Sequence, residues 1–214
     1  MDILLDLDGT LTDPREGITR CIQYALERLE RPVPEQHRLL HCIGPPLHES
    51  FSEMLDGNDE LASRAVALYR ERFGEVGLYE NAPYPGIAEA LETLRSGRAR
   101  LFVATSKPTI YARRIVVHFG LDKYLEDVFG SELDGTRTDK SELLAYVAEQ
   151  LGLATETTRM IGDRKHDMIG ARNNNIQPHG VTWGYGSRAE LIEAGAADLL
   201  NAPMELPTVL AHDS

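Results

Sequence analysis

Two carboxylates stand two residues apart near the start of the chain, in the run Asp6-Leu7-Asp8-Gly9-Thr10. The apolar run Ile3-Leu4-Leu5 before them predicts a buried strand that ends in charge. Residues i and i+2 of a strand point to the same side, so we expect both carboxylates to emerge together. Such a pair suits phosphoryl transfer to one acid, with the other acid moving protons. Gly9 permits a tight turn whose amides can hold an anion.

Hydroxyl and amine groups follow a second predicted strand, over residues 100–104. Thr105 and Ser106 offer hydroxyls and backbone amides that suit phosphate oxygens. Two lysines compete to be the cation at the phosphate: Lys107, directly after these hydroxyls, and Lys140, at the start of a predicted helix. The residues alone leave both assignments open.

A second acidic pair follows the predicted strand over residues 159–161. Asp163 lies at the turn, and Asp167 lies four residues on, one helical turn away on the same face. Oxygen ligands from Asp6, Asp163 and a backbone carbonyl suit Mg²⁺, which usually keeps several waters. Such an ion offsets the repulsion between an anionic nucleophile and an anionic phosphate.

The patterns of the chain change character twice. Every strong pattern between residues 14 and 82 is helical, whereas helix and strand alternate afterwards. Alternation predicts an α/β fold, a Rossmann-like parallel sheet with helices on both faces. We therefore predict a catalytic core of residues 1–13 and 83–214, interrupted after its first strand by a helical cap domain of residues 14–82. The acids, hydroxyls and lysine then meet outside the carboxyl ends of the strands, where open α/β sheets bind ligands.

Several element boundaries are also predicted. Asp13 stands at a capping-box spacing from Glu16 and is expected to cap the first helix. Residues 34–42 read as a further helix, and Asn58 is expected to cap a third. Short strands are expected over residues 127–129 and 180–183. Helices are expected over residues 140–151, ended by Gly152, and over residues 165–173.

Charge and cysteine usage limit the partners and the compartment. The 214 residues carry a net charge of −12, from 34 acidic and 22 basic residues, which disfavours a nucleic-acid partner. The two cysteines lack metal-type spacing and indicate no disulfide framework. No leader and no apolar run near ~18 residues is visible, so no membrane association is expected. We expect a cytoplasmic protein, a monomer or small homo-oligomer.

Two further groups allow competing interpretations. His37 and His41, four residues apart with Cys42 adjacent, are either a metal site or solvated side chains on a cap helix. No carboxylate or further cysteine completes a recognisable ligand set, which favours the second. The run from Trp183 to Gly186 is either a loop flanking the site or, for Trp183, plain packing.

Taken in order, these four motifs resemble those of the haloacid dehalogenase superfamily, over essentially the whole chain. The helical insert resembles the cap of its phosphoglycolate-phosphatase-like branch. The resemblance implies the following roles: Asp6 as nucleophile, Asp8 as general acid and base, Asp6 with the Asp8 carbonyl and Asp163 as Mg²⁺ ligands, Thr105 and Lys140 as phosphate contacts, and Asp167 as support for the metal or for Lys140.

The resemblance also suggests a substrate. Residues 43–47 and 133–137 are similar to bacterial members described as 5′-nucleotidases. They imply a small phosphorylated metabolite, a nucleoside 5′-monophosphate, with 2-phosphoglycolate as the alternative. Lys140 lacks the Lys-Pro context common among phosphoglycolate phosphatases, which weakens that alternative. Arg15 and the loop 44–47 are expected to contribute substrate contacts from the cap.

Other chemistries within and outside the superfamily are less well supported. A dehalogenase would not need Asp8, and a phosphonate hydrolase would need a cap lysine. All four lysines lie outside residues 14–82. A sugar phosphomutase shares the two aspartates and stays open. A phospho-accepting signalling module of the receiver type would be shorter, without a cap, and would carry its aspartate on a middle strand.

Overall fold

The structure is a computed structural model that describes residues 1–213, with side chains described through Thr208. The chain divides into two compact units. The sheet unit consists of Met1–Asp13 together with the chain from Pro83 onwards, and the insert unit consists of Pro14–Ala82.

The described residues form eight strands and eight α-helices. The strands are β1 Asp2–Leu5, β2 Thr12–Asp13, β3 Ala82–Pro83, β4 Arg100–Pro108, β5 Asp127–Ser131, β6 Arg159–Gly162, β7 Gln177–Val181 and β8 Asp198–Leu200. The helices are α1 Arg15–Arg28, α2 Leu47–Met54, α3 Asp59–Glu75, α4 Ile87–Ser96, α5 Thr109–His118, α6 Lys140–Leu151, α7 Lys165–Asn173 and α8 Arg188–Glu193. Short 3₁₀ segments are Gln36–Cys42, Gly77–Tyr79, Asp122–Tyr124, Thr155–Thr157 and Pro203–Asp213.

Six parallel strands form the main sheet, in the order β5-β4-β1-β6-β7-β8, and β2 pairs with β3 separately. The first strand lies between β4 and β6, with Leu5 opposite Val103 on one side and Ile161 on the other. The chain builds outward from β1 to β4 and β5, and then returns to β6 on the opposite side. This reversal opens a crevice at the carboxyl end of β1, where ligands bind in such sheets. The predicted α/β class with a parallel sheet is confirmed.

Apolar packing covers both faces of the sheet. Leu4, Phe102 and Met160 belong to one buried cluster with residues of α6 and α7. The alternate positions Ile3 and Leu5 are also fully buried, and alternate residues of a strand face opposite sides. Burial on both faces explains why β1 reads as a continuous apolar run.

Helices α1, α2 and α3 form the insert unit around an aromatic centre. The ring of Tyr69 stacks on Phe73 at 5.2 Å and meets Phe51 edge-on at 6.4 Å. Near the end of the unit, the Glu80 carboxylate accepts hydrogen bonds from Arg72 at 2.7 and 3.0 Å and from Arg20 at 2.8 Å. These bonds join the final segment of the insert unit to α1 and α3.

Several predicted boundaries were correct. Asn58 caps α3, its side chain accepting a hydrogen bond from the Leu61 amide at 3.0 Å. Helix α6 starts at Lys140 and ends at Leu151, and the following Gly152 has the left-handed φ of 60° that favours glycine there. Helix α7 has the predicted bounds of residues 165–173.

Other boundaries were wrong. Asp13 does not cap α1, because its carboxylate accepts a hydrogen bond from the Tyr185 hydroxyl instead. The segment expected as a helix over residues 34–42 is a 3₁₀ segment, Gln36–Cys42, between two prolines. The strand expected over 100–104 continues to Pro108, because its pairing with β5 resumes there after an irregularity.

The bounds of two further strands, β5 and β7, also differ from the predicted ones. The structure extends β5 to Ser131 and places β7 at Gln177–Val181, earlier than the expected 180–183. Helix α8 and strand β8 had no sequence prediction, because both are short. Within the described part of the chain, no helix has the length and apolar character needed to cross a bilayer.

Candidate active site

The turn after β1 brings the first acidic pair to the crevice. The Asp6 amide donates to the Ile161 carbonyl at 2.9 Å, which continues the pairing with β6. The chain then turns sharply, with Gly9 at a φ of 85° and its amide donating to the Thr12 carbonyl at 2.8 Å. A Cβ at Gly9 would collide with the Asp163 carboxylate. Glycine is therefore needed here for both its backbone angle and its lack of a side chain.

Lys140 connects the nucleophile candidate to the second acidic pair. Its Nζ donates to Asp6 Oδ1 at 2.9 Å and to the Ala104 carbonyl at 3.0 Å. It also forms an ion pair with Asp167 Oδ1 at 2.7 Å. Burial lowers the pKa of Lys140, but the Asp167 and Asp6 charges outweigh burial and leave this pKa raised. Three oxygens thus surround an ammonium that has three N–H donors.

Asp8 pairs with the other lysine. Lys107 Nζ lies 2.6 Å from Asp8 Oδ2, and the side chains are 6% and 12% exposed, respectively. Among the described residues, no hydrogen-bond partner reaches the buried Asp8 Oδ1. Burial raises the pKa of Asp8, although Lys107 opposes this shift. The two lysines that the sequence could not rank therefore contact different aspartates.

Asp163 is fully buried and held by the turn and by a later loop. Its Oδ2 accepts from the Tyr185 amide at 2.8 Å, and its Oδ1 accepts from the Thr10 hydroxyl at 3.4 Å. Burial raises the pKa of Asp163 well above its usual range, and the charges of Asp167 and Asp6 raise it further. The carboxylate is thus oriented by neutral donors, with acidic neighbours close by.

Asp167 lies in the first turn of α7 and is buried as well. Its Oδ2 accepts from the Arg164 amide at 3.1 Å, which closes the helix start. Burial raises the pKa of Asp167, and the Lys140 charge counteracts part of that rise. A Cβ at Gly162 would overlap this carboxylate, so the end of β6 must be bare for Asp167 to fit.

Three of these acids form a site with the character of a metal centre. One carboxylate oxygen each from Asp6, Asp163 and Asp167 lies within 4.8 Å of the others, and all three residues are buried. The contacts above bring one ammonium, that of Lys140, to these acids. A divalent cation would offset the remaining negative charge, and oxygen donors are what Mg²⁺ prefers. The residues present therefore fit such an ion.

Thr105 and Ser106 lie at the carboxyl end of β4, beside β1. Thr105 is buried, and its hydroxyl accepts from the Lys107 amide at 3.3 Å. The Ser106 carbonyl accepts from the Ser131 hydroxyl at 2.8 Å. The predicted phosphate-contacting segment is thus part of a strand that β5 supports.

The histidines of the insert unit lie outside the group of described residues that could hold a metal. His37 is exposed and pairs with Glu35 at 3.2 Å, and the His41 ring lies 3.4 Å from the Cys42 sulfur. Among the described residues, the acids Asp6, Asp163 and Asp167 are the cluster that could hold a metal. Both His37 and His41 are exposed, as expected for solvated side chains.

Comparison with known proteins identifies the family. A family profile described as "Haloacid dehalogenase-like hydrolase" matches residues 3–181. The chain belongs to the haloacid dehalogenase-like hydrolases. It is 51% identical over 190 residues to a Pseudomonas aeruginosa protein named 5′-nucleotidase, covering 89% of this chain and 86% of that one. The superfamily resemblance is therefore confirmed.

Two further similarities bear on activity. A crystal structure of a predicted phosphatase from Clostridium acetobutylicum matches with a TM-score of 0.94 and 40% identity, covering 99% of this chain and 98% of that one. A Mycobacterium tuberculosis protein named tyrosine-protein kinase PtkA is 41% identical over 89% of this chain, which spans 65% of that longer protein. The family match, the relative named 5′-nucleotidase and the Clostridium acetobutylicum phosphatase structure together identify this haloacid dehalogenase-like chain as a phosphatase, a phosphoric monoester hydrolase.

Some residues that shape the site of this haloacid dehalogenase-like phosphatase were not predicted. Trp183 donates from its indole to the Thr10 carbonyl at 3.0 Å, and the Tyr185 amide holds Asp163. A Cβ at Gly184 would strike both Asp163 and the Gly9 carbonyl, so the loop packs directly against the turn after β1. The alternation of aromatic residues and glycines over residues 183–186 was the feature of the sequence that indicated a special role for this loop. The structure places this run in a loop, and its contact with Asp163 could not be inferred from the sequence.

Proposed function

We propose that this chain is a magnesium-dependent phosphatase that hydrolyses small phosphomonoesters through an aspartyl-phosphate on Asp6. The observation that carries the proposal is the setting of Asp6. It stands at the carboxyl end of the central strand, with Lys140 on one oxygen and two further buried acids close enough to share a cation. An oriented, charge-paired carboxylate at a ligand-binding crevice is suited to attack phosphorus.

The metal would be held by Asp6, Asp163 and the backbone carbonyl of Asp8, with Asp167 supporting Lys140 or the metal itself. When bound, the ion supplies charge neutralisation and orients the phosphate. Carboxylate oxygens of Asp6, Asp163 and Asp167 lie within 4.8 Å of one another, and this proximity supports the proposed donor set. Asp8 presents its side chain to Lys107 instead, which leaves its carbonyl as the group available to the metal.

The reaction divides into two displacements. In the first, an Asp6 oxygen forms a bond to phosphorus as the ester P–O bond breaks, and Asp8 donates a proton to the leaving oxygen. In the second, water attacks the same phosphorus, Asp8 takes its proton, and Asp6 is released with inorganic phosphate. Thr105, Ser106 and Lys140 are proposed to bind the phosphate oxygens or to balance their charge. Gly9 was also expected to offer an amide to the phosphate, but that amide donates to the Thr12 carbonyl at 2.8 Å.

A nucleoside 5′-monophosphate is the substrate that we favour. The 51% identity to a protein named 5′-nucleotidase supports it, as do the stretches over residues 43–47 and 133–137. The alternative is 2-phosphoglycolate, and a sugar phosphomutase or phospho-accepting signalling role is less well supported. We also propose that the insert unit is the cap domain and that Arg15 and the loop 44–47 contribute to substrate selection.

One experiment tests the mechanism. Phosphate release is measured with Mg²⁺ from a panel of nucleoside 5′-monophosphates, 2-phosphoglycolate and sugar phosphates. Asp6→Asn should remove turnover while preserving the fold, because the amide cannot form the acyl phosphate. The matched control is Asp2→Asn, at the opposite end of β1, where the carboxylate pairs with Arg100 at 2.6 Å and takes no part in the chemistry.

Three results would contradict parts of the proposal. Persisting turnover in Asp6→Asn would refute the nucleophile, and full activity in EDTA would refute the metal. A clear preference for 2-phosphoglycolate over every nucleotide would reverse the choice of substrate.

A further inference from the structure

We propose that Lys107 is a positioning residue for proton transfer: it holds one oxygen of Asp8 and so directs the other toward the leaving group. This inference rests on the proposed function, since it gives Asp8 the acid and base role. It assigns Lys107 to the leaving-group side of the reaction and not to the phosphate.

The two oxygens of Asp8 have different surroundings. Oδ2 lies 2.6 Å from Lys107 Nζ, in a pair that is almost wholly removed from solvent. Oδ1 is buried and accepts no hydrogen bond from the described part of the protein. A charge-assisted contact of this length fixes the carboxyl plane. Oδ1 is then the oxygen left to exchange a proton.

The backbone that carries Lys107 is itself held by β5. A Cβ at Gly130 would overlap the Lys107 carbonyl, so the two strands approach as closely as glycine allows. The Ser131 hydroxyl donates to the Ser106 carbonyl at 2.8 Å, and the Thr109 hydroxyl donates to the Ser131 carbonyl at 3.2 Å. These contacts lie on both sides of Lys107 in sequence. They restrict the direction in which its side chain leaves the strand.

Lys140 does not take this role. Its ammonium has three oxygens within 3.0 Å, from Asp6, Asp167 and the Ala104 carbonyl, and none of them belongs to Asp8. The site therefore has a division between its lysines. Lys140 contacts the proposed nucleophile Asp6 and its neighbour Asp167, whereas Lys107 contacts Asp8, the proposed acid and base.

The pairing is compatible with both halves of the reaction. When Oδ1 carries the proton, Oδ2 still accepts from Lys107, so the contact persists while Oδ1–H breaks and the proton moves to the departing alkoxide. In the second displacement, Oδ1 accepts a proton from the attacking water as its oxygen bonds to phosphorus. Lys107 keeps its own protons throughout.

Leaving-group dependence tests the inference. Values of kcat/KM are compared for p-nitrophenyl phosphate, whose leaving group needs little protonation, and for the alkyl phosphate of the panel that turns over fastest. Lys107→Met should lower kcat/KM for the alkyl ester by about 100-fold, in line with loss of general acid catalysis, and affect the aryl ester much less. Lys107→Arg should restore part of the alkyl activity. The inhibition constant of inorganic phosphate should not change.

Matched variants complete the experiment. Asp8→Asn should show the same selective loss, and Lys107→Met combined with Asp8→Asn should be no worse than Asp8→Asn alone, because both act through one carboxyl. Lys123→Met repeats the chemical change at an exposed lysine and should leave both esters unaffected.

The outcomes separate this inference from the proposed function. Activity that survives Asp6→Asn on both esters refutes the proposed function and this inference with it. If Asp6→Asn is inactive, equal losses on the two esters in Lys107→Met overturn the positioning role alone. Equal losses with weaker phosphate inhibition would assign Lys107 to the phosphate, and equal losses with a lowered melting temperature would assign it to folding.

Discussion

Lys140 contacts two buried carboxylates, so its removal changes charge balance as well as contacts. Its side chain is 4% exposed, and those of Asp6 and Asp167 are 11% and 3% exposed. Breaking a buried pair by removing one partner costs about 3–5 kcal/mol, because the other charge stays buried without compensation. We predict that Lys140→Met lowers the free energy of unfolding by about 3 kcal/mol, measured by urea denaturation in EDTA at neutral pH.

A second variant serves as the control for this prediction. Adding Asp167→Asn to Lys140→Met removes one of the uncompensated carboxylates and should recover part of the lost stability. If Lys140→Met were as stable as the wild type, the carboxylates would not depend on this ammonium, and the charge argument would be wrong.

Helix α6 positions this lysine through its first turn. The Asp139 side chain accepts from the amides of Ser141 and Glu142, at 2.8 and 3.1 Å, and Lys140 is the first residue of the helix. Loss of such a cap costs about 1 kcal/mol. We predict that Asp139→Ala loses this stability and also lowers kcat, because fraying of the first turn displaces Lys140. Thermal unfolding and kcat are measured together.

Asn58→Ala provides the comparison at the element scale. It removes the cap of α3, a helix that carries none of the site residues. Its stability loss should be similar, so a fall in kcat as large as that of Asp139→Ala would show that the effect on catalysis is not specific to α6.

The sequence predicted the elements whose signals are local. An apolar run ending in acids was enough for β1 with Asp6 and Asp8, and a helical pattern stopped by Gly152 was enough for α6. Asp163 and Asp167 follow the end of another predicted strand. The sequence therefore predicted that they lie at the same crevice, because parallel strands end on one side of a sheet.

The features that the sequence did not predict depend on tertiary contacts. Asp13 has a good capping spacing, but the hydroxyl of a residue 172 positions away binds its carboxylate. The pairing of Lys107 with Asp8 joins residues from β4 and from the turn after β1, and no periodicity of the sequence predicts this contact. The extension of β4 to Pro108 likewise depends on its neighbour β5.

Across the whole molecule, the concentration of acids makes stability depend on cations. The chain has a net charge of −12, and three of its carboxylates share a buried site. An ion that binds only the folded chain stabilises it by mass action, about 2.7 kcal/mol at 100 times its Kd. We predict that Mg²⁺ raises the melting temperature of the wild type, measured by scanning calorimetry with and without EDTA.

Asp163→Asn is the matched variant for this prediction. The amide keeps the size of the side chain but weakens the donor set, so the response to Mg²⁺ should be largely lost. A wild-type melting temperature that does not change with Mg²⁺ would mean that the three acids do not bind it.

The loop from Trp183 to Gly186 has a practical consequence for such measurements. The chain contains one tryptophan, and its indole is hydrogen-bonded to the turn that carries both candidate catalytic aspartates. Two residues later, the same loop holds Asp163. Fluorescence excited selectively at tryptophan, and not at the eight tyrosines, therefore comes from a single indole at the edge of the candidate active site. Its emission is a label-free optical probe of ion and ligand occupancy at the crevice.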